Sequence, residues 1–341
     1  MKRRALLGAA GAATLVDALG VSRAFAQSAD VPRRAMPAAA GVARVGVLFV
    51  NDAPTETRPD PFIAAFRRGL RERGYVEGEN ILLDVRYMDG RPERLAAQAA
   101  ELVALKVDVI LTGGQPAREA VRRATGTVPI VQVSGSDAVR EGWARSLARP
   151  GGNLTGLTVT YPELMPKSLE LLNEALPGIV RVAVLIDPAQ VIDAREVLKE
   201  TEAGAGRLGM RLQVPDIRGP GDFVAAFAAA QQQGAQAVFA IGMSPFSSQL
   251  AALAIRNRLP SVGDFPLMAQ AGFLLSYGAD LVDLIRRAAF YVDKILKGGR
   301  PGDLAIERPT TFQLSVNLVT AKALGLTMPR SLLLRADEVI Q

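Results

Sequence analysis

Four aspartates follow apolar runs that are typical of buried strands, and their side chains could bind a charged ligand or take part in acid–base chemistry. They are Asp52, Asp137, Asp187 and Asp264. A carboxylate at such a place can bind an ammonium group or pair with a second carboxylate as general acid and base. Aspartate is also an ordinary N-cap and turn residue, so a purely structural role stays open for each of the four.

The absence of histidine and cysteine from the 341 residues narrows that chemistry. Without imidazole or thiol groups the chain can form no Ser-His-Asp triad, no thiol nucleophile, no disulfide and no zinc site with His or Cys ligands. We therefore expect a protein that is not an enzyme and that needs no cofactor and no metal. An exported enzyme that depends on carboxylates alone stays as an alternative.

The stretch LTGGQPAREAVRR, residues 111–123, places two glycines ahead of a predicted helix. It fits neither the phosphate loop G-x-x-x-x-G-K-[ST] nor the dinucleotide fingerprint G-x-G-x-x-G. Pro116 in the first turn removes no needed hydrogen bond, and the free N–H groups of the helix start can receive a carboxylate or a phosphate. The alternative is that Gly113 and Gly114 only let the chain turn.

Two tyrosines, Tyr161 and Tyr277, could give a binding site an aromatic wall, although simple packing explains them equally well. An acid for an ammonium group, a helix start for a carboxylate and a ring for an apolar part together suit a small polar metabolite, such as an amino acid. The predicted ligand-binding residues are Asn51, Asp52, Thr55, Gly114, Gln115, Pro116, Ser136, Asp137, Tyr161, Asp187, Ser244, Asp264 and Tyr277.

The elements that would position these residues repeat along the chain. Apolar runs that start at Arg44 and Arg181 each open the order β-α-β-α-β-α-β. Unbroken apolar strands separated by helices form parallel sheets with both faces covered, so the sequence predicts an α/β fold of two doubly wound, Rossmann-like lobes. Ligands of such sheets bind outside the carboxyl ends of the strands, where most of the candidate residues lie.

The lobes should exchange chain segments, because the residues after 272 are too few for a third domain. Three crossings between the lobes would form a three-stranded hinge that permits closure around a ligand. We predict these crossings near residues 155–161, 274–278 and 308–313. The predicted boundaries are an export signal at 1–26, a flexible mature N-terminus at 27–41, a first lobe of 42–157 with 277–309, and a second lobe of 158–276 with 310–341.

The first 26 residues are typical of a cleaved export signal. Lys2, Arg3 and Arg4 precede an apolar run, and Ala24-Phe25-Ala26 resembles a cleavage site. The adjacent arginines suit the twin-arginine route as well as general secretion, and an uncleaved membrane helix is the alternative. We expect cleavage near Ala26 and a monomer in the periplasm.

The charge of the mature chain gives no indication of a nucleic-acid partner. Removal of residues 1–26 lowers the formal net charge from +6 to +3. The remaining basic residues are interleaved with acids, as in the segment RRGLRER at 67–73, and this pattern is typical of a solvated helix face. A small-molecule solute is the expected partner instead.

Four blocks of the sequence resemble the ABC transporter substrate-binding proteins, the family that includes tryptophan- and tyrosine-type binding proteins. The blocks are FRRGLRERGYVEGEN at 66–80, SLARPGGNLTG at 146–156, AFYVDKILKG at 289–298, and TAKALGL through SLLLRADEVI at 320–340. The resemblance covers essentially the whole mature chain. It implies a type I periplasmic binding fold that closes on a solute, with an ABC permease and its ATPase in the inner membrane as partners.

Three loops differ from the usual family pattern at positions that would decide the solute. Gln115 stands where the family shows a threonine. The loop DPAQ at 187–190 replaces N-P-N-N-P, and GMSP at 242–245 stands where an Asp-Pro is common. The resemblance therefore does not by itself imply an aromatic amino acid as the solute of this chain.

Two other classes of protein use a similar fold and are alternatives to a transport receptor. A sensory receptor that reports its solute to a membrane kinase needs the same cleft, and this alternative stays open. A sugar-responsive transcription regulator needs a DNA-binding module ahead of the lobes, and this chain has the predicted export signal there.

Overall fold

The computed structural model describes residues 41–133, 138–159, 161–188, 190–191 and 194–341. The predicted export signal lies outside the described residues, as does nearly all of the predicted flexible N-terminus. Two candidate site residues, Ser136 and Asp137, lie outside them as well.

The first part of the described chain forms a five-stranded parallel sheet. Its strands are β1 (Ala43–Phe49), β2 (Ile81–Tyr87), β3 (Val109–Gly113), β4 (Ile130–Val133) and β5 (Leu154–Gly156). They lie in the order β2-β1-β3-β4-β5. The intervening helices are α1 (Pro61–Arg71), α2 (Leu95–Ala104) and α3 (Gln115–Ala124).

The second part forms a seven-stranded sheet that is parallel except where β10 meets β11. Its strands are β6 (Arg181–Ile186), β7 (Arg211–Gln213), β8 (Ala237–Ile241), β9 (Ser261–Gly263), β10 (Leu275–Gly278), β11 (Gln313–Asn317) and β12 (Glu338–Ile340). Their order in the sheet is β12-β11-β10-β9-β8-β6-β7. The helices that follow α3 are α4 (Tyr161–Ala175), α5 (Ala194–Arg207), α6 (Phe223–Gln232), α7 (Ser247–Arg256), α8 (Pro266–Gln270), α9 (Leu281–Leu296), α10 (Leu318–Leu324) and α11 (Arg330–Arg335).

The predicted repeat and the predicted α/β fold class are confirmed. The strand order β2-β1-β3-β4 in the first sheet recurs as β7-β6-β8-β9 in the second. The central strands are buried from both sides, as parallel sheets require: Val45–Phe49 and Val182–Ile186 expose at most 2% of any hydrophobic side chain. We call the five-stranded sheet with the helices packed on it the first lobe, and the seven-stranded sheet with its helices the second lobe.

Helix α9 belongs to the first lobe, although it follows strand β10 of the second sheet in the chain. It packs against α1 and against strands β3 and β4. The approach to α1 is close at Gly69, where a Cβ atom would meet the carbonyl oxygen of Arg286 and come within 2.9 Å of Ala289 Cβ. Helices α1 and α9 thus cover one face of the first sheet, and α2 and α3 pack together on the other.

The described chain passes between the two sheets three times: after β5, after β10 and before β11. The first and third passages are hydrogen-bonded to each other, because Thr158 N donates to Glu307 O at 2.9 Å and Glu307 N donates to Gly156 O at 3.0 Å. At the second passage Leu275–Gly278, which we predict as a crossing, forms strand β10, and the chain leaves the second sheet at Asp280, the N-cap of α9.

The repeat does not predict helix α4, which lies between the two repeated passages. Pro166 stands inside this helix, and an internal proline removes one backbone hydrogen bond, so the sequence pattern argues against a helix there. Packing against α5 and β10 stabilises it in spite of the proline. The close packing of Gly204 of α5 onto the Pro166 ring shows how tight this contact is.

Two glycine-to-alanine changes test the contact between α1 and α9. We expect Gly69→Ala to lower the free energy of unfolding by about 1–3 kcal/mol, because the new methyl group overlaps the Arg286 carbonyl oxygen. Gly206→Ala in α5 is the matched control, since an added Cβ there meets nothing within 4 Å, and it should stabilise by up to about 1 kcal/mol. Urea unfolding of both variants measures this; equal effects at the two sites would contradict the packing described here.

Candidate functional site

The loops at the carboxyl ends of strands from both sheets line one cavity. Its volume is about 760 Å³, counted with the space that opens to solvent. The first lobe contributes Phe49, Val50, Asn51, Phe62, Gly113, Gly114, Gln115, Val133, Leu281 and Ile285, and the second lobe contributes Gln190, Val191, Gly242, Ser244, Pro245, Phe265 and Leu267.

Equivalent loops of the two repeats face each other across this cavity. The loop after β3 contributes Gly114 and Gln115, and the corresponding loop after β8 contributes Ser244 and Pro245. The loops after β1 and β6 and the ends of β4 and β9 contribute in the same way. The cavity therefore follows from the repeat, since parallel strands carry all their forward loops on one edge of the sheet.

The glycines of the LTGGQPA stretch have a structural role that the sequence left open. Gly114 has φ 90°, a left-handed conformation that favours glycine, and a Cβ there would come within 2.5 Å of the Val50 side chain. A Cβ on Gly113 would come within 2.8 Å of the Phe49 ring. These glycines let the loop pass over the end of β1, and this close passage brings the start of α3 to the cavity wall.

The start of α3 offers hydrogen-bond donors to the cavity. The first N–H groups of a helix have no hydrogen-bond partner inside the helix. Pro116, the second residue of α3, has no N–H group that would need a partner. Gln115 is 4% exposed, and its carboxamide is held by neighbours on its own helix: Arg118 donates to Oε1, and Nε2 donates to Glu119 Oε1 at 2.9 Å. The backbone donors, the edge of this amide and Asn51 are thus polar features of the wall.

On the opposite wall, Asp264 fixes the loop after β8. Its Oδ2 accepts a 2.6 Å hydrogen bond from Gly242 N, and Gly242 has φ 68°, with its Cα packed against Val191. The carboxyl group is buried, and burial raises the pKa of Asp264 to about 7. Asp264 therefore supports the wall from behind, while its neighbour Phe265 lines the cavity.

Aromatic side chains form much of the apolar lining, and sequence reasoning missed them. The Phe49 and Phe62 rings pack edge to face with centroids 6.1 Å apart, and Tyr87 lies 6.3 Å from Phe49. Tyr87 Oη donates to Asp60 Oδ2 at 2.7 Å, and Asp60 is the N-cap of α1. Burial and the carboxylate together raise the pKa of Tyr87 above its usual value.

The structure places seven of the predicted site residues in three different surroundings. Asn51, Gly114, Gln115 and Ser244 line the cavity. Pro116 and Asp187 line a second cavity between the lobes, which shares Gln190 with the first and measures about 1440 Å³ when the space open to solvent is counted. Asp264 lies behind the wall as described.

The remaining candidates lie away from the cavity or outside the described part. Asp52 and Thr55 are in the loop after β1, where Asp52 forms an ion pair with Arg58 at 3.3 Å and Thr55 Oγ1 accepts from Arg58 N at 3.1 Å. Tyr277 packs its ring 6.1 Å from Phe312. Tyr161 begins helix α4, whose first side chains are not described.

Membrane spans and metal-binding clusters are absent from the residues that the structure describes. In this part of the chain no helix is long and apolar enough to span a bilayer. The same residues contain no group of three or more Asp, Glu, His or Cys side chains that could hold a metal ion.

Two parallel-sheet lobes with a cavity between their strand ends define the class of type I periplasmic binding folds. The sequence matches the ABC transporter substrate binding protein family over residues 60–340, and the chain belongs to that family. The members of this family are substrate-binding proteins and not enzymes.

Individual relatives agree with the family match. The chain is 23% identical over 267 residues to the tyrosine-binding protein of Clostridioides difficile, covering 76% of this chain and 75% of that protein. Among solved structures, a conserved domain protein from Vibrio cholerae is 26% identical with a TM-score of 0.78. The ABC domain in complex with L-Trp from Streptococcus pneumoniae is 21% identical, also with a TM-score of 0.78. Each structural match covers 88% of this chain and 100% of the other.

Replacing Asp264 by asparagine should change the pH dependence of stability. The folded-state pKa of about 7 exceeds the ordinary value of 3.8, so the unfolded chain releases this proton first and the wild type loses stability as pH rises between those values. The asparagine side chain does not titrate but can still accept from Gly242 N. Between about pH 4 and about pH 7, we expect the free energy of unfolding of Asp264→Asn to rise relative to that of the wild type by up to about 4 kcal/mol.

Urea unfolding at several pH values measures this difference. Asp280→Asn, which changes the N-cap of α9, is the control and should show no comparable gain over that window. If the stability of the wild type instead rose relative to that of Asp264→Asn as the pH rose, the carboxylate would be ionised and paired, and burial would not determine its pKa.

Proposed function

We propose that this protein is a periplasmic solute receptor of an ABC import system, which captures an amino-acid-like solute between two closing lobes and delivers it to a permease with its ATPase. The observation that carries the proposal is the cavity built from equivalent loops of both lobes. A solute bound there contacts both lobes at once, so binding favours the closed arrangement. Export of the mature chain with cleavage near Ala26 and a monomeric state in the periplasm belong to the same proposal.

The lining of the cavity supports a solute with a large apolar part. Phe49, Phe62 and Phe265 face it together with Val133 and Leu281. Burial of apolar surface contributes roughly 25 cal/mol per Å², so such a wall selects for side chains that fill it. The relatives named for tyrosine and L-Trp fit this chemistry, and we propose an amino acid with an aromatic or large aliphatic side chain.

The polar end of the solute is proposed to meet the start of α3. The free backbone N–H groups and the helix dipole favour a carboxylate there. Asn51 and Ser244 lie on the same cavity and offer further hydrogen-bonding groups. No residue of this set supplies a nucleophile with an adjacent base, and the proposed role is binding without turnover.

The lobe boundaries are proposed as 42–157 with 277–309 and 158–276 with 310–341. Apart from Tyr277 and Gly278, which end β10 of the second sheet, this division assigns each sheet and the helices packed on it to one lobe, and α9 then goes with the first. The three passages between the sheets are the proposed hinge. The hydrogen bonds of Glu307 with Thr158 and Gly156 tie two of these passages together, which favours bending about that pair.

A thermal-shift panel tests the proposal. The protein without residues 1–26, refolded to remove carried-over solute, is compared with L-tyrosine, L-tryptophan, L-phenylalanine, L-leucine, sugars and nucleosides. A solute at about 100 times its Kd stabilises the folded state by about 2.7 kcal/mol, which is easily visible. We expect apolar amino acids to raise Tm. A panel in which only sugars or nucleosides raise Tm would contradict the proposed solute class, and one with no effect at all would contradict the receptor role.

Two phenylalanine variants locate the binding site in the same assay. Phe62→Ala removes a ring from the cavity wall and should weaken the best amino acid about tenfold or more. Phe290→Ala removes a ring of similar size that is 37% exposed on α9 and should leave the affinity unchanged. Equal loss in both variants would place the site elsewhere.

A further inference from the structure

A fully buried arginine lies behind the cavity wall of the first lobe. Arg118 is the fourth residue of α3, and its side chain is not exposed. Among the described residues it donates to three acceptors from different parts of the lobe: Gln115 Oε1 at the start of α3, Gln132 Oε1 on β4 at 2.9 Å and Glu141 Oε1 at 2.6 Å. We call these four residues the Arg118 cluster.

An aromatic side chain closes the cluster on its outer side. The Arg118 guanidinium lies 4.3 Å from the centre of the Trp143 ring, a cation–π distance. Trp143 is half-buried and is the only tryptophan of the chain. Arg122, one turn further along α3, is exposed and lies 4.8 Å from the centre of the same ring.

Burial of this guanidinium costs desolvation free energy, so a gain in stability alone does not explain the cluster. A buried ion pair pays a desolvation cost that its attraction often only balances, and apolar side chains of similar size would pack as well. No arginine in the described part of the second lobe is buried. At the equivalent loop, where Ser244-Pro245 corresponds to Gln115-Pro116, the residue in the place of Arg118 is Ser247.

The cluster determines which way the Gln115 amide points. Its oxygen faces the cation of Arg118, and its nitrogen donates to Glu119 at 2.9 Å. A flipped amide would place NH₂ against the guanidinium and oxygen against the carboxylate, and both contacts would be repulsive. Of the two amide hydrogens, one goes to Glu119, so the second is left as a donor of fixed direction on a residue that lines the cavity.

We propose that Arg118 is a positioning residue for solute recognition: without touching the solute, it holds the Gln115 amide as a donor toward a carboxylate of the solute. The inference rests on the proposed receptor function. The fixed amide donor adds to the free N–H groups at the start of α3. The first lobe then binds the carboxylate of the solute, and the apolar wall contacts its side chain. A solute group that accepts a hydrogen bond is preferred here over one that donates, because the cluster prevents the flip of the Gln115 amide that would turn its oxygen toward a donor.

The test compares L-tyrosine with L-tyrosinamide, which lacks the carboxylate but keeps the ring and the ammonium group. Kd for both is measured by calorimetry on the wild type, Gln115→Leu, Arg118→Lys and the double variant. Lysine keeps a positive charge beside Glu141 but cannot donate to three acceptors in a plane. Arg122→Met is the matched control, because it removes a cation from Trp143 without a hydrogen bond to Gln115.

We expect the wild type to prefer L-tyrosine over L-tyrosinamide, and Gln115→Leu and Arg118→Lys each to reduce this preference by about tenfold. Because both changes act through one amide, the double variant should lose no more than the stronger single variant. Arg122→Met should keep the wild-type preference. Additive losses, or an Arg118→Lys variant with the wild-type preference, would overturn the inference.

Trp143 fluorescence gives a second readout that does not depend on affinity. L-Tyrosine is added to saturation while only tryptophan is excited. The emission of Trp143 should change in the wild type and in Arg122→Met but not in Gln115→Leu, where the link from the cavity through Arg118 is cut. A wild type that binds no amino acid of the thermal-shift panel would count against the proposed function, and a wild type that binds L-tyrosine with no fluorescence change in any variant would count against the Arg118 link.

Discussion

The arrangement of this protein depends on parallel strand pairing in sheets that are buried on both faces. The central strands β1 and β6 carry apolar side chains on both sides, and helices must cover each face. Each strand is then followed by a helix that leads the chain back to the start of the next strand, so the loops that follow the strands lie at one edge of the sheet. Two such edges facing each other leave a cavity that neither lobe could form alone.

The two walls of this cavity are held by different means. In the first lobe, a buried guanidinium joins the start of α3 to β4 and to Glu141. In the second lobe, a buried carboxyl group receives the Gly242 N–H and supports the loop after β8. The repeat gives both walls the same backbone plan, and these unlike polar contacts give them different chemistry. A solute with a carboxylate at one end and an apolar body suits such an asymmetric cleft.

Much of the fold can be predicted from the sequence, because apolar runs and helical patterns repeat in the same order. The same logic predicts Asn51, Gly114, Gln115 and Ser244 at the strand ends, where the cavity has them. It does not predict Phe49, Phe62 or Phe265, since an aromatic residue at the end of an apolar strand cannot be distinguished from core by pattern alone. Nor does it predict that Asp52 pairs locally with Arg58, because such pairing depends on how the loop turns back.

We expect the two lobes to close on a solute, and small-angle X-ray scattering of the mature protein measures this closure. The radius of gyration is measured without solute, with the amino acid that gives the largest thermal shift, and with one that gives none. The radius of gyration should be smaller with the binding amino acid alone, because bending at the three passages brings the lobes together. An unchanged radius at saturating solute would contradict this closure.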